Sequence, residues 1–308
     1  GTSAQPTVSL TGAVGSGLSD LDVQVTGGVG IDVSGGPVLI KDITVSGAAS
    51  AAAAVSCSQS CTSSSPVTLS DVDLGTSHVG LVANGAFVVW NGGASHDNVT
   101  MSELAGGDGI VASQGATLQL TGVTVANNAA VGVLLDGAGG TSAMLTNVTV
   151  SGNAGRGIWA QNLVGSAAAP SLSLTQSTIT QNAIVGVGVL ASSGIVMTGG
   201  SIDSTVDAPI ATDVGSVQQV GDGVEIFQGS SDVSIASVAI ANNARAAGVI
   251  DAAGMGIRVA GVDVQASASN LLFVVQRSTN SVDVPASSTS TVAMPLPIAL
   301  DTLPVVSP

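Results

Sequence analysis

Apolar and small polar residues alternate along this chain in short runs, and the runs return in a fixed order. Leu120 to Leu135, Leu145 to Ala160 and Leu174 to Val189 are three copies of one phrase: an alternating run, an Asn-bearing turn, a Gly, then a second alternating run. Alternation with period two predicts strands, and recurrence every twenty-odd residues predicts stacked repeats. The step from Gly to an aliphatic residue anchors the phrase at Gly30, Gly80, Gly109, Gly132, Gly157, Gly186, Gly223 and Gly248, with Ala54 in the same role. The anchors are 23 to 29 residues apart except for one step of 37, from Gly186 to Gly223. Coils of this length, each with two or three short strands, predict an all-β parallel β-helix of about ten coils. Each strand then pairs with its counterpart one coil away, about 4.8 Å along the axis. Asn128, Asn153, Asn182 and Asn243 recur just after a strand. Asn tolerates left-handed backbone and bonds its own turn, so these positions read as a stacked turn ladder.

The β-helix spans residues 1–276, with loop inserts expected near 51–66 and 203–221. From residue 277 to 308 the chain becomes rich in Ser, Thr and Pro. Proline suits a central strand poorly, so this tail is either a cap using Leu296, Ile298 and Leu300 or a linker.

Composition narrows the function. The chain is 45% hydrophobic but holds two Trp, three Phe and no Tyr, so its core must be aliphatic. The formal charge of −15 repels phosphate backbones and acidic polysaccharides, which excludes nucleic acid as a partner. Cys57 and Cys61, in Cys-Ser-Gln-Ser-Cys, have no neighbouring His and read as a local disulfide in an oxidising compartment. No apolar run reaches membrane-spanning length and no basic segment precedes Gly1, as expected of a mature exported chain or a trimmed one; the expected location is secreted, periplasmic or on the cell surface of a bacterium.

The phrase Asn-x-x-x-Gly-[Ile/Val]-x-[Val/Leu/Ala] at Asn128 to Leu135, Asn153 to Ala160 and Asn182 to Val189 resembles the generic repeat of the pectin-lyase-like superfold. That resemblance implies a right-handed parallel β-helix from about Leu18 to Val275. It leaves activity open, because the superfold includes lyases, hydrolases, epimerases, tailspikes and adhesins. A site similar to the polygalacturonases would need a Gly-His-Gly and an Arg-x-Lys motif. Here the histidines are His78 and His96, in other contexts, and the single lysine is Lys41. A site like that of the pectate lyases would need a basic proton abstractor beside calcium-binding carboxylates. Arg156 and Arg245 follow the Asn turn and read as solvated.

Three groups of residues are candidates for function, and none of them forms a recognisable catalytic set. Asp20, Asp42 and Asp71 occupy one row, with Asn98 next, and Asp22 and Asp73 occupy a neighbouring row with Thr44 between. Asp20, Asp42, Asp71 and Asp73 are either weak Ca²⁺ ligands or corner residues splayed into water; no other cofactor is implied. The outward row after each anchor reads Val82, Val111, Leu134 and Trp159, an apolar stripe that is either a docking or self-association surface or is covered by a loop or the tail. The leading reading is therefore a structural or adhesive module, binding a protein, a polysaccharide or its own copies. The alternative is a carbohydrate-active enzyme with a diverged site at Asp207, Asp213, Asp222 and Glu225.

Overall fold

The computed structural model describes residues 6–11, 16–57, 61–99, 106–211, 217–265, 271–278 and 282–298. It is a right-handed parallel β-solenoid of about ten turns. One sheet, here sheet A, runs through eleven parallel strands from Val8–Thr11 to Leu271–Gln276. The remaining strands form the other two faces. In the early coils these two faces share one long strand, as in Ser16–Gln24, Val38–Ser46, Val67–Gly75 and Phe87–His96. Later coils divide it into pairs such as Thr117–Thr121 with Thr124–Ala126, and Ser142–Thr146 with Thr149–Ser151.

Alternation decides which side chains point inward. On sheet A the inward row reads Ile31, Ala53, Leu81, Ile110, Val133, Ile158, Val187 and Val224, in strict register and almost entirely removed from water. Coil two is offset from the sequence phase. Ala53, not Val55, is level with Ile31, and Ala51–Ser56 is itself a strand of sheet A. The insertion in this coil is therefore confined to the residues after the strand. There Cys57 and Cys61 are joined, with Cα atoms 5.6 Å apart. The bond closes a very short loop, so replacing both cysteines with Ser is expected to cost only about 2 kcal/mol, read as a small drop in the urea midpoint.

Corners between faces require left-handed backbone. Asp20, Asp42, Asp71 and Asn147 have φ of 56°, 52°, 52° and 53°, and Gly92 and Gly122 occupy equivalent corners. Behind one corner, Asn98, Asn128, Asn153 and Asn182 stack as a buried ladder. Each of the first three donates its Nδ2 to the next Oδ1, at 2.8, 2.8 and 2.7 Å. The second insertion leaves the body as an antiparallel hairpin, Ala208–Ala211 against Val217–Val220, and the solenoid register resumes at once with Val187 opposite Val224. Towards the C-terminus, a 3-10 turn at Ala286–Ser288 leads into a bridge between Phe273 and Thr289, and Ser290 N–H donates to the Phe273 carbonyl.

Candidate functional site

Asp20, Asp42 and Asp71 are corner residues, whereas Asp22 and Asp73 lie within strands, in register with Thr44. Asp20, Asp42 and Asp71 do share a row, but the next position is Gly92; Asn98 lies in the buried ladder instead. Asp accepts the left-handed turn through its short polar side chain. Asp73 is engaged by His96, whose Nε2 lies 2.7 Å away while its Nδ1 lies 2.8 Å from Asp97. Burial lowers the imidazole pKa, but the hydrogen bond to Asp97 and the charge of Asp73 overcome it and leave His96 raised. Among the described residues, no three His, Cys, Asp or Glu side chains gather to hold a metal ion.

The apolar stripe is not a free surface. Val82, Val111, Leu134 and Trp159 do form one outward row in continuous register, yet they are 0%, 0%, 1% and 0% exposed. They belong to a second apolar layer outside sheet A, with Val185, Leu190, Phe227, Val249 and Ile298. Leu296 packs against the same layer. The docking expectation fails because outward on this sheet does not mean exposed. From Val82 to Trp159 sheet A is buried on both faces, so over these coils its outward row is apolar like its inward one.

Within this layer lies a polar cluster. Glu225 continues the stripe after Gly188, and Asp222 lies three positions behind on the row of Val185 and Ala246. Both carboxylates are fully buried. Arg245, from the turn of the following coil, donates Nε to Asp222 Oδ1 at 2.9 Å and Nη2 to Asp222 Oδ2, with Glu225 Oε1 3.3 Å from the same Nη2. Its Nη1 donates to the Pro297 carbonyl at 2.7 Å. Burial pushes the Glu225 carboxyl well above its usual range, the Asp222 charge adds to this, and Arg245 opposes it. Nearby, Arg156 sits 4.2 Å over the Trp159 ring, and the indole N–H donates to Gln161 at 3.1 Å. Arg156 and Arg245 are thus interior, not solvated. Of the four acidic residues proposed as an enzyme site, Asp222 and Glu225 meet; Asp207 is exposed at the base of the hairpin, and Asp213 lies outside the described residues.

The open concavity lies elsewhere. A cleft of about 510 Å³ runs along the exit ends of the first sheet A strands, lined by Ser34, Gly35, Ser56, Cys57, Asn84, Gly85 and Gln114. Ser34, Ser56, Asn84 and Ser113 are successive members of one register row, so the cleft follows the solenoid axis for about 14 Å. Ser113 Oγ donates to Asn84 Oδ1 at 2.7 Å, which fixes the amide. A Cβ at Gly85 would stand 3.1 Å from the Cys57 carbonyl, so glycine keeps this wall flat. Among the described residues the lining carries hydroxyls, amides and a disulfide, and no charged side chain. In the sequence, the signal for this cleft lies two residues beyond the outward stripe along each strand, where the row turns polar.

The family described as right handed beta helix region matches residues 27–218 and, in an overlapping second alignment, 108–284. The chain belongs to the right-handed β-helix family. Among solved members of this architecture, the A-module of the Azotobacter vinelandii mannuronan C-5 epimerase AlgE6 superposes with a TM-score of 0.53. The identity is 15%, over 93% of this chain and 82% of that one. The periplasmic alginate epimerase AlgG gives a TM-score of 0.49 at 14% identity, over 78% of this chain and 47% of that one. Pectate lyase Pel9A gives 0.47 at 12%, over 89% and 74%. This right-handed β-helix therefore spans less than half the length of that periplasmic epimerase. At such identities the likeness is one of fold. No curated relative matches the chain by sequence.

Proposed function

We propose that this right-handed β-helix is an extracytoplasmic module that binds a neutral polysaccharide along the Ser34–Gln114 cleft without turning it over. The observation that carries the reading is the cleft itself: elongated, open and lined by uncharged hydrogen-bonding groups fixed on a rigid sheet edge. Hydroxyl and amide donors and acceptors match the hydroxyls of a sugar chain. A net charge of −15 disfavours polyanionic chains at the same surface. The disulfide bordering the cleft supports an oxidising compartment. Binding without turnover agrees with the position of Asp222 and Glu225, which are sealed beneath sheet A's outer layer and forked by Arg245. It retains the adhesive reading while replacing its surface, since the apolar stripe is buried.

Affinity electrophoresis through gels containing neutral or uronate polysaccharides tests this. Retardation is expected on at least one neutral chain and not on the uronates. Asn84→Ala with Gln114→Ala should weaken that retention about tenfold, the loss of roughly one to two net hydrogen bonds, while the melting curve keeps its cooperative shape and drops only by the loss of the Ser113–Asn84 bond. Equal retention of the double variant, or retention on uronates alone, would sink the proposal.

A further inference from the structure

The segment Met294–Ile298 is attached to the solenoid by specific contacts. Leu296 N–H donates to Gln276 Oε1 at 2.7 Å, and Gln276 Nε2 returns a bond to the Leu296 carbonyl at 2.8 Å. Pro297 accepts from Arg245, and Ile298, 2% exposed, enters the outer apolar layer. On its N-terminal side Met294 is 78% exposed. Arg245 joins this segment to the buried carboxylates, because one guanidinium holds Pro297, Asp222 and Glu225 together. Glu225 Oε2 is fully buried and has no hydrogen-bond partner.

We propose that Met294–Ile298 is a releasable strap, closed over sheet A while Glu225 is a neutral acid and lifted when the Asp222–Glu225 pair takes on a second negative charge.

Among the described residues, the charged groups acting on Glu225 are Asp222 on its own strand, Arg245 from the next coil and Arg156 from two coils before. The strap itself brings none. Asp251, one row over, is forked by Arg277 at 2.7 and 2.5 Å. A second buried carboxylate beside Asp222 exceeds what one shared guanidinium can offset, and admitting water by lifting the strap relieves it. The sign follows from the direction of the shift. Glu225 is raised when closed and titrates in the ordinary carboxyl range once hydrated. Closure is therefore strongest in acid and is lost as pH rises from that ordinary range to the raised value.

Hydrogen–deuterium exchange of the full chain, read on peptides covering 291–298 and corrected for intrinsic exchange, tests the strap between about pH 5 and about pH 8. Its protection is expected to fall by up to about tenfold per pH unit. The inner strand Val133–Asp136 should keep its protection throughout. Glu225→Gln, a permanent neutral mimic, should flatten the pH dependence and keep the strap protected. Arg245→Gln should expose it at every pH. A pH-independent strap in the parent, an unchanged slope in Glu225→Gln, or loss of Val133–Asp136 protection in step with the strap would overturn the proposal.

Discussion

Asn153→Ala is expected to lower the unfolding free energy by about 4 kcal/mol. Asn153 Oδ1 accepts from Asn128 Nδ2 at 2.8 Å and from the Asn128 backbone N–H at 3.0 Å. Its own Nδ2 donates to Asn182 Oδ1 at 2.7 Å, and its backbone N–H donates to the same oxygen at 3.2 Å. Alanine would strand two buried donors on Asn128 and take one donor from Asn182. Each orphaned buried group costs about 1–3 kcal/mol, and the vacated volume adds to that. Because each rung holds the preceding coil's backbone and is bonded in turn to the next rung, the defect should spread to both neighbours. Asn153→Asp keeps the acceptor but loses the donor, so it should also destabilise strongly at neutral pH. Urea denaturation followed by far-UV circular dichroism measures both. A loss below about 1 kcal/mol for Asn153→Ala would mean that the ladder is dispensable.

Arg245→Met should cost about 3–5 kcal/mol at neutral pH, the usual consequence of removing one partner from a buried ion pair. Asp222 and Glu225, both without solvent exposure, would lose the guanidinium that binds them. The deficit should shrink on acidification, since protonating the stranded carboxylates removes the uncompensated charge. Thermal melts of parent and variant across the acid range check this. A deficit that stays constant with pH would show that Arg245 contributes packing rather than charge.

Much of the fold was legible because a solenoid writes one coil many times. Period-two alternation and the recurring glycine located the strands of sheet A, and the aliphatic composition matched a core with few rings. Trp90 is the one large inward exception on the other faces, level with Leu69 and Leu120. What alternation could not reveal was whether an outward face meets water. Val82, Val111, Leu134 and Trp159 face outward and are buried all the same, because the side chains of this face pack into an apolar layer of their own that also takes in Leu296 and Ile298 from far along the chain. The apolar character of the row was itself a sign of two-sided burial. Arg156 and Arg245 were misread for the same reason: a basic residue after a turn is ordinarily solvated, but these turns open beneath that layer. The cleft escaped notice because its lining residues are individually ordinary. Ser34, Ser56, Asn84 and Gln114 acquire meaning only when stacking places them side by side.

The hairpin at Ala208–Val220 carries a lesson about how such a molecule can change over time. A dozen extra residues leave the body between Val187 and Val224, and those two residues are still partners in the sheet. Added length is absorbed at one corner and is not passed on to the coils beyond. Growth by insertion and growth by duplicating whole coils are therefore independent routes. The first decorates the rim and the second extends the axis, so lineages can acquire new surface loops without renegotiating the core that every neighbouring coil depends on.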